Sequence, residues 1–233
     1  MSLRYTTREL REIADLAQHD MQSADAADIV KWVGATFGEH ALLTQSMANN
    51  ALTHMVAEVA PEIPVVFLDT GYHFKETLET RDLLVARTGV TLINLTPSIT
   101  VEEQDRQFGP YLHKRDPDRC CHLRKVRPMD DFLLGYDAWI TGMRLAAAPH
   151  RKERKVIEYD ARRHLVKVNP LLFWTDEQLL TYTVERDITV NPLLYDGYPS
   201  IGCEPCTRRV DPSDDPRAGR WAGSGKLECG LHI

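Results

Sequence analysis

The sequence predicts an α/β fold, a doubly wound and mostly parallel sheet followed by an irregular C-terminal segment and a mobile tail. Three observations carry this. Four short apolar runs, "HALLTQS", "PVVFLDTG", "VTLINLTP" and "DAWITGMR", are separated by helix-like segments such as "ALTHMVAEVA" and "KETLETRDLLVARTG". Strands alternating with helical patterns imply βαβ units and a parallel sheet buried on both faces. Three of the runs pass directly into small polar or glycine-bearing loops, "TQSMANN", "DTGYH" and "TGMR". Ligands of open α/β sheets lie at the carboxyl ends of the strands, so these loops are expected to share one site. From about residue 190 the text becomes "NPLLYDGYPSIGCEPCTRRVDPSDDPRAGRW", rich in Pro and Gly, and is expected to be held by something other than an apolar core.

The opening is helical. "TRELREIADLAQHDM" places Leu10, Ile13, Leu16 and Ala17 on one face, and "ADAADIVKWVGATFG" repeats such a pattern before stopping at glycine. With 233 residues and 43% apolar content the chain can bury one real core. It reads as a single domain, with N-terminal helices over 1–40, an α/β core over 41–190 that carries Cys120 and Cys121, and a C-terminal segment over 191–233 with the C-x-x-C pair and the tail. No run of about 18 apolar residues suggests a membrane span, and the charged N-terminus lacks a signal peptide's apolar stretch, so a cytoplasmic protein is expected. There, five cysteines point to metal binding, redox chemistry or burial rather than structural disulfides.

A net charge of −6 argues against a general nucleic-acid binder. The charge is uneven, however: residues 114–155 carry 11 Lys or Arg against 6 Asp or Glu. A local basic field in an acidic protein suits a small polyanionic ligand; a solvated charge run is the plainer alternative.

Cysteine placement is the sharpest signal. Cys120 and Cys121 are adjacent, and Cys203 and Cys206 form a C-x-x-C clip. Structural zinc sites usually draw C-x(2–4)-C from both halves, whereas adjacent cysteines point about 100° apart on a helix and fit one small ion poorly. An iron–sulfur cluster offers more widely separated corners and is favoured over zinc, a thioredoxin-like redox pair or incidental buried thiols. The nearby Arg119, Arg124, Lys125 and Arg127 would offset the negative charge of thiolates and cluster. Cys229 sits in the polar, glycine-rich tail "GSGKLECGLHI", where a thiol is expected to be mobile and accessible unless something docks it.

With these residues in view, the chain from about Ala41 to its end resembles the assimilatory adenylyl-sulfate reductases, relatives of the 3′-phosphorylated-substrate (PAPS) reductases. The resemblance rests on the Cys-Cys pair followed by Lys125, the "GCEPCT" clip, the "LDTG" loop, the "RAGRW" stretch and the terminal "ECGLH". It implies a sheet related to the adenine nucleotide alpha-hydrolase-like or PP-loop folds. It implies that Cys120, Cys121, Cys203 and Cys206 hold a four-iron, four-sulfur (4Fe-4S) cluster of structural and electrostatic role. It also implies that Cys229 attacks the sulfate sulfur of adenosine 5′-phosphosulfate (APS), and that thioredoxin or a similar thiol reductant releases sulfite from the S-sulfonated cysteine.

The resemblance further implies cations for the leaving phosphate at Lys125, Arg144, Arg151, Arg217 and Arg220, with His232 beside the nucleophile. Ser46 to Asn50 would take the place of the phosphate-binding loop, Leu68, Thr70 and Gly71 would flank the adenosine, and Gly142 would let the chain pass the base. Two departures stand out. Ser46-Met47-Ala48-Asn49-Asn50 replaces the usual Ser-Phe-Gly-x-(Glu/Asp), and "TGMRLAAAPHR" keeps Arg144 but loses the usual Thr-Gly-x-Arg-Arg-x-Gln-Ser neighbours.

PAPS in place of APS remains an alternative with the same mechanism. A PP-loop tRNA-thiolating enzyme would need a Ser-Gly-Gly-x-Asp-Ser type loop, which is absent, and a zinc-stapled binding domain would make Cys229 a spectator. A homo-oligomer is compatible with the sequence.

Overall fold

The structure, a computed structural model, describes residues 4–147 and 152–231. Six strands form one sheet: β1 (Ala41–Thr44), β2 (Val65–Leu68), β3 (Leu92–Leu95), β4 (Ala138–Thr141), β5 (Ile157–Asp160) and β6 (Leu165–Val168), in the order β3-β2-β1-β4-β6-β5. β1 pairs in parallel with both β2 (Leu43 opposite Val65) and β4 (Leu43 opposite Ile140). The chain therefore winds outward from β1 to β3, then returns to β4 on the other side of β1. That reversal opens a crevice at the carboxyl ends of these strands, where ligands of doubly wound sheets bind.

The expected strand runs became β1 to β4. β5 and β6 form a hairpin with no apolar-run signal, because Glu158 and Lys167 interrupt the pattern. β5 is the one antiparallel strand of the sheet, and β6 is buried along its length, Lys167 included.

Alternation along the strands divides the interior. Leu43, Val65, Ile140, Val166 and Val168 face the N-terminal helices α1 (Thr7–Met21) and α2 (Ala26–Phe37) and helix α3 (Ala51–Val59). Leu42, Val66, Trp139 and Leu165 pack on the opposite side with Met129 and Leu133. α1 starts at a capping box in which Thr6 and Glu9 satisfy each other's backbone N–H groups. Its buried stripe is Leu10, Ala14 and Ala17; Ile13 is only half-buried, and Leu16, expected on that face, is exposed.

After α4 (Lys75–Thr88), α5 (Val101–Phe108) and α6 (Leu112–Arg115), one continuous run comprises α7 (Pro117–Cys121), a π-helical turn (His122–Val126) and α8 (Arg127–Leu133). Beyond α9 (Asp176–Glu185) the described residues form only 3₁₀ turns, Pro192–Tyr195 and Glu204–Cys206, and isolated bridges such as His73 with Cys203. Among the described residues no helix is long and apolar enough to cross a membrane.

Candidate active site

Two neighbouring spaces make up the site. The first is a narrow pocket of about 10 Å³, lined by Cys120, Cys121, Cys203, Cys206, Tyr72 and Lys125, among others. The two cysteine pairs, far apart in sequence, thus meet. α7 presents its pair because Pro117 opens the helix and Asp116 caps it, accepting from the Arg119 N–H at 2.9 Å. The π turn follows at once, and wide turns of this kind recur at functional sites. It leaves Arg124 and Lys125 buried.

The clip is tied to the loop after β2. Glu204 N–H donates to Tyr72 O at 2.7 Å, and the Thr70 hydroxyl lies 3.3 Å from Cys203 Sγ. Within the clip, the Thr207 hydroxyl donates to Cys203 O at 2.8 Å. Arg124 holds the same β2 loop from the helix side: its Nε donates to Thr70 O, and its Nη1 to Gln104 Oε1 at 3.3 Å. Sequence reading assigned Arg124 only a general cationic role.

All five cysteines are free thiols. Burial, then the neighbouring Cys121, Cys203 and Cys206, push the Cys120 thiol up to about 12. Burial and Cys203 push Cys206 up to about 11. Cys203 moves the other way: burial raises it, but Lys125, the Thr70 hydrogen bond and Arg220 together outweigh that and favour the thiolate. Lys125 shows the reciprocal effect. Burial disfavours its charge, yet its proximity to Cys203 above all, and to Cys229 and Cys121, reverses the balance and favours the protonated ammonium.

Four thiols line this one pocket, although among the described residues no three His, Cys, Asp or Glu side chains are grouped closely enough to hold a metal ion.

The second space is a cavity of about 530 Å³ at the carboxyl ends of the strands. The loops after β1, β2 and β4 contribute Ser46, Leu68 with Thr70, and Gly142 with Arg144. The three loops therefore share one site, as expected. A Cβ on Gly142 would meet nothing within 4 Å, so the backbone there borders open space. Arg144 is held by Asp176 at 2.7 Å and by Trp174 O at 3.2 Å. From the C-terminal segment come Arg217, Arg220 and Cys229. Arg220 donates to Ser200 Oγ at 3.2 Å and Ile201 O at 3.1 Å, and lies 4.6 Å from the Trp221 ring centre. Lys125 and Cys203 line both spaces and form the wall between them.

The tail is docked. Lys226 pairs with Asp118, Arg217 donates to Leu227 O at 3.0 Å, and Leu231 packs against the cluster containing Leu42, Val66 and Met129. Gly230, at φ +95°, passes so close to α8's approach that a Cβ would lie 3.0 Å from Val126 Cγ2.

Two expected contacts do not reach the cavity. Asn50 is completely buried and spends its Nδ2 on Thr189 O at 2.7 Å, so it braces the scaffold. Gly71 takes φ +73° in a turn packed on Val101 and Arg124, without lining the cavity. Arg151 and His232 lie outside the described residues.

The loop that lacks the usual glycine places its left-handed residue at Met47, φ +59°, whose side chain is buried. Asn191 clamps it, donating from Nδ2 to Met47 O at 3.2 Å and from N–H to Ala48 O at 2.8 Å. Neither Asn191 nor Trp139, which floors the cavity and donates to Thr44 Oγ1 at 2.8 Å, carried a sequence signal; only contacts across the fold single them out.

Comparison with known proteins agrees with this geometry. The family model described as "Phosphoadenosine phosphosulfate reductase domain" matches residues 42–209. A Streptomyces coelicolor protein named adenosine 5′-phosphosulfate reductase is 48% identical over 97% of this chain and 96% of its own. The crystal structure of PAPS reductase from Candida auris, a phosphate complex, superposes with a TM-score of 0.74 at 26% identity, covering 86% of this chain and 97% of that one. The FMN adenylyltransferase of Candida glabrata shares the fold alone, with a TM-score of 0.54 at 14% identity, covering 88% of this chain and 78% of that one. Matched over most of its length by the family model and by near-full-length relatives, the chain belongs to the phosphoadenosine phosphosulfate reductase family.

Proposed function

We propose that this protein reduces adenosine 5′-phosphosulfate to sulfite and AMP in assimilatory sulfate reduction, through an S-sulfonated Cys229. The observation that carries the reading is the convergence of Cys229, Lys125, Arg217 and Arg220 on one cavity at the switch point of the sheet. The relatives at 43–48% identity named adenosine 5′-phosphosulfate reductase support the choice of substrate.

In this reading the nucleotide lies along the loops after β1, β2 and β4, with its phosphosulfate toward the C-terminal segment. The Cys229 thiolate attacks the sulfate sulfur; the S–O bond to the phosphate breaks and AMP leaves. Lys125, Arg217 and Arg220 are positioned to offset the charge that grows on the leaving phosphate. Arg144, Ser46, Leu68, Thr70 and Gly142 orient the nucleotide, and Arg151 and His232 are further candidates. A reducing thiol such as that of thioredoxin then releases sulfite.

Cys120, Cys121, Cys203 and Cys206 would hold a four-iron, four-sulfur cluster; the convergence of the two pairs on one pocket supports it. Bound there, such a cluster supplies a charged centre that staples the C-terminal segment to α7 and tunes the wall residue Lys125. Cysteines used as cluster ligands and nucleophile instead of disulfides would fit a cytoplasmic location.

The test is intact mass after anaerobic mixing with APS, and in parallel with PAPS, without reductant. The expected result is one sulfonate on Cys229, formed faster from APS and lost on adding thioredoxin. No adduct from either nucleotide, in protein carrying its full iron, would overturn the reading; a faster reaction with PAPS would reassign the substrate.

A further inference from the structure

The cations that line the nucleotide cavity are unevenly placed. Among the described residues they are Lys125, Arg144, Arg217 and Arg220. Lys125 and Arg220 lie over the Trp221 ring, at 5.8 and 4.6 Å from its centre, and Arg217 pairs with Glu228 at 3.8 Å. These three therefore gather about the C-terminal segment that carries Cys229. Arg144 stands apart on the loop after β4, and its charge is already matched: Asp176, which also lines the cavity, accepts from its Nη2 at 2.7 Å.

Backbone donors of the loop after β1 are answered in the same way. Gln45 folds over its own loop, its Oε1 accepting the Ser46 N–H at 2.8 Å while its Nε2 donates to Thr53 Oγ1 at 3.0 Å. Asn49 Oδ1 accepts the Ala51 N–H at 2.9 Å, at the first residue of α3, where a helix start would otherwise draw an anion. Two N–H groups and one guanidinium, donors of the kind a phosphate recruits, are thus held by the chain's own oxygens.

We propose that Asp176 and Gln45 are specificity-determining residues, which make this end of the cavity accept a nucleotide with a free ribose 3′-hydroxyl and refuse one with a 3′-phosphate. This assignment rests on the proposed function and deepens it. In that reading the phosphosulfate points to the C-terminal segment and the nucleoside lies along the strand loops. The ribose joins the two, so a 3′-phosphate would stand on the loop side, away from the three gathered cations.

The chemistry of the Arg144–Asp176 pair separates the two ligands. A hydroxyl both donates and accepts, so a carboxylate beside a guanidinium serves it on both counts. A phosphate near neutral pH offers acceptors and brings about two further negative charges toward Asp176. Taking Arg144 for itself would leave that carboxylate unpaired beside it, and like charges in contact disfavour the complex. In the loop after β1, a phosphate would have to displace Gln45 Oε1 to reach the Ser46 N–H.

The experiment compares each protein with itself. The rate of Cys229 sulfonation is measured with APS and with PAPS below saturation, and the PAPS-to-APS ratio is taken for the natural protein, Asp176→Asn, Asp176→Glu and Gln45→Ala. A ratio within one preparation is unmoved by the fraction that folds or carries iron. The expected result is a preference for APS in the natural protein and a ratio raised about tenfold or more in Asp176→Asn. Gln45→Ala should raise it less, and Asp176→Glu, which keeps the charge, should leave it in place.

A ratio unchanged in both Asp176→Asn and Gln45→Ala, or raised as much by Asp176→Glu as by Asp176→Asn, overturns the assignment while the proposed function stands. A natural protein that reacts with neither nucleotide, or faster with PAPS, fails the proposed function itself, and the assignment falls with it.

Discussion

The guanidinium of Arg220 occupies the space that a side chain on Gly202 would fill: a Cβ built there lies 2.1 Å from Arg220 Nη2 and 2.5 Å from Cζ. Gly202 does not need positive φ, so its role is close approach rather than backbone freedom. Gly202→Ala should push Arg220 out of its cradle of Ser200 and Ile201 while leaving the clip to bind iron. The expected result is normal iron content with kcat/KM for APS lowered about 10- to 100-fold, read by steady-state kinetics beside iron analysis. Unaltered kinetics would show that Arg220 does not serve the substrate from this position.

The two kinds of cysteine separate by readout. Cys229→Ser should lose turnover by about 10³-fold or more while retaining iron, because a hydroxyl replaces the nucleophile alone. Cys203→Ser should lose iron and activity together and lower the melting temperature, since the C-terminal segment has few apolar contacts besides Phe74, Leu193 and Ile201 to hold it. A Cys229→Ser protein that still turned over would remove the mechanism.

Asn191 is a scaffold residue with a functional consequence. Completely buried, its side chain donates to Met47 O and Thr77 Oγ1 and accepts from Leu193 N–H. Asn191→Ala leaves those groups unpaired and should cost about 2–4 kcal/mol, measured by urea unfolding. Because it also frees the Met47–Ala48 loop, KM should rise more than kcat falls.

Lys167 sets a pH dependence of stability. Burial holds its ammonium down to about 8, Glu158 at 3.9 Å offsetting only part of the effect. The unfolded chain keeps that proton up to about pH 10.4. Between these values the unfolded state binds more protons, so this site makes stability rise with pH there and weakens the fold below pH 8. Lys167→Met, which keeps the stem over Trp139, should therefore be more stable than the natural protein at pH 7, by on the order of 1–2 kcal/mol. That advantage should shrink as pH rises from 8 to 10.4. A pH-independent difference would mean that Lys167 titrates normally.

Much of the architecture was legible because its signals are local. β1 to β4 are unbroken apolar runs ending in turn chemistry, and their shared ligand edge follows from the topology rule for such sheets. The β5–β6 hairpin was not legible. Glu158 and Lys167 look like surface residues in sequence, yet packing buries Lys167 over the Trp139 ring and half-buries Glu158, 3.9 Å from its ammonium. Leu16 erred in the other direction: it is apolar and helical, but α1 has room for only the narrower stripe of Leu10, Ala14 and Ala17 against the sheet.

The sequence by itself determined the fold class, the cysteine set, the tail thiol and the cations near it, since residue type and spacing state those directly. Only the tertiary structure decided which of them meet. It brought Cys120 and Cys121 to Cys203 and Cys206 across some 80 residues, put Lys125 in the wall between the two spaces, and brought Cys229 to the larger of them. It also turned Asn50 away into the scaffold. The physical reason is that burial and partnership are properties of packing. A buried cation such as Lys125 is tolerable only where groups such as Cys203 face it, and no local stretch of chain records which distant groups will do so.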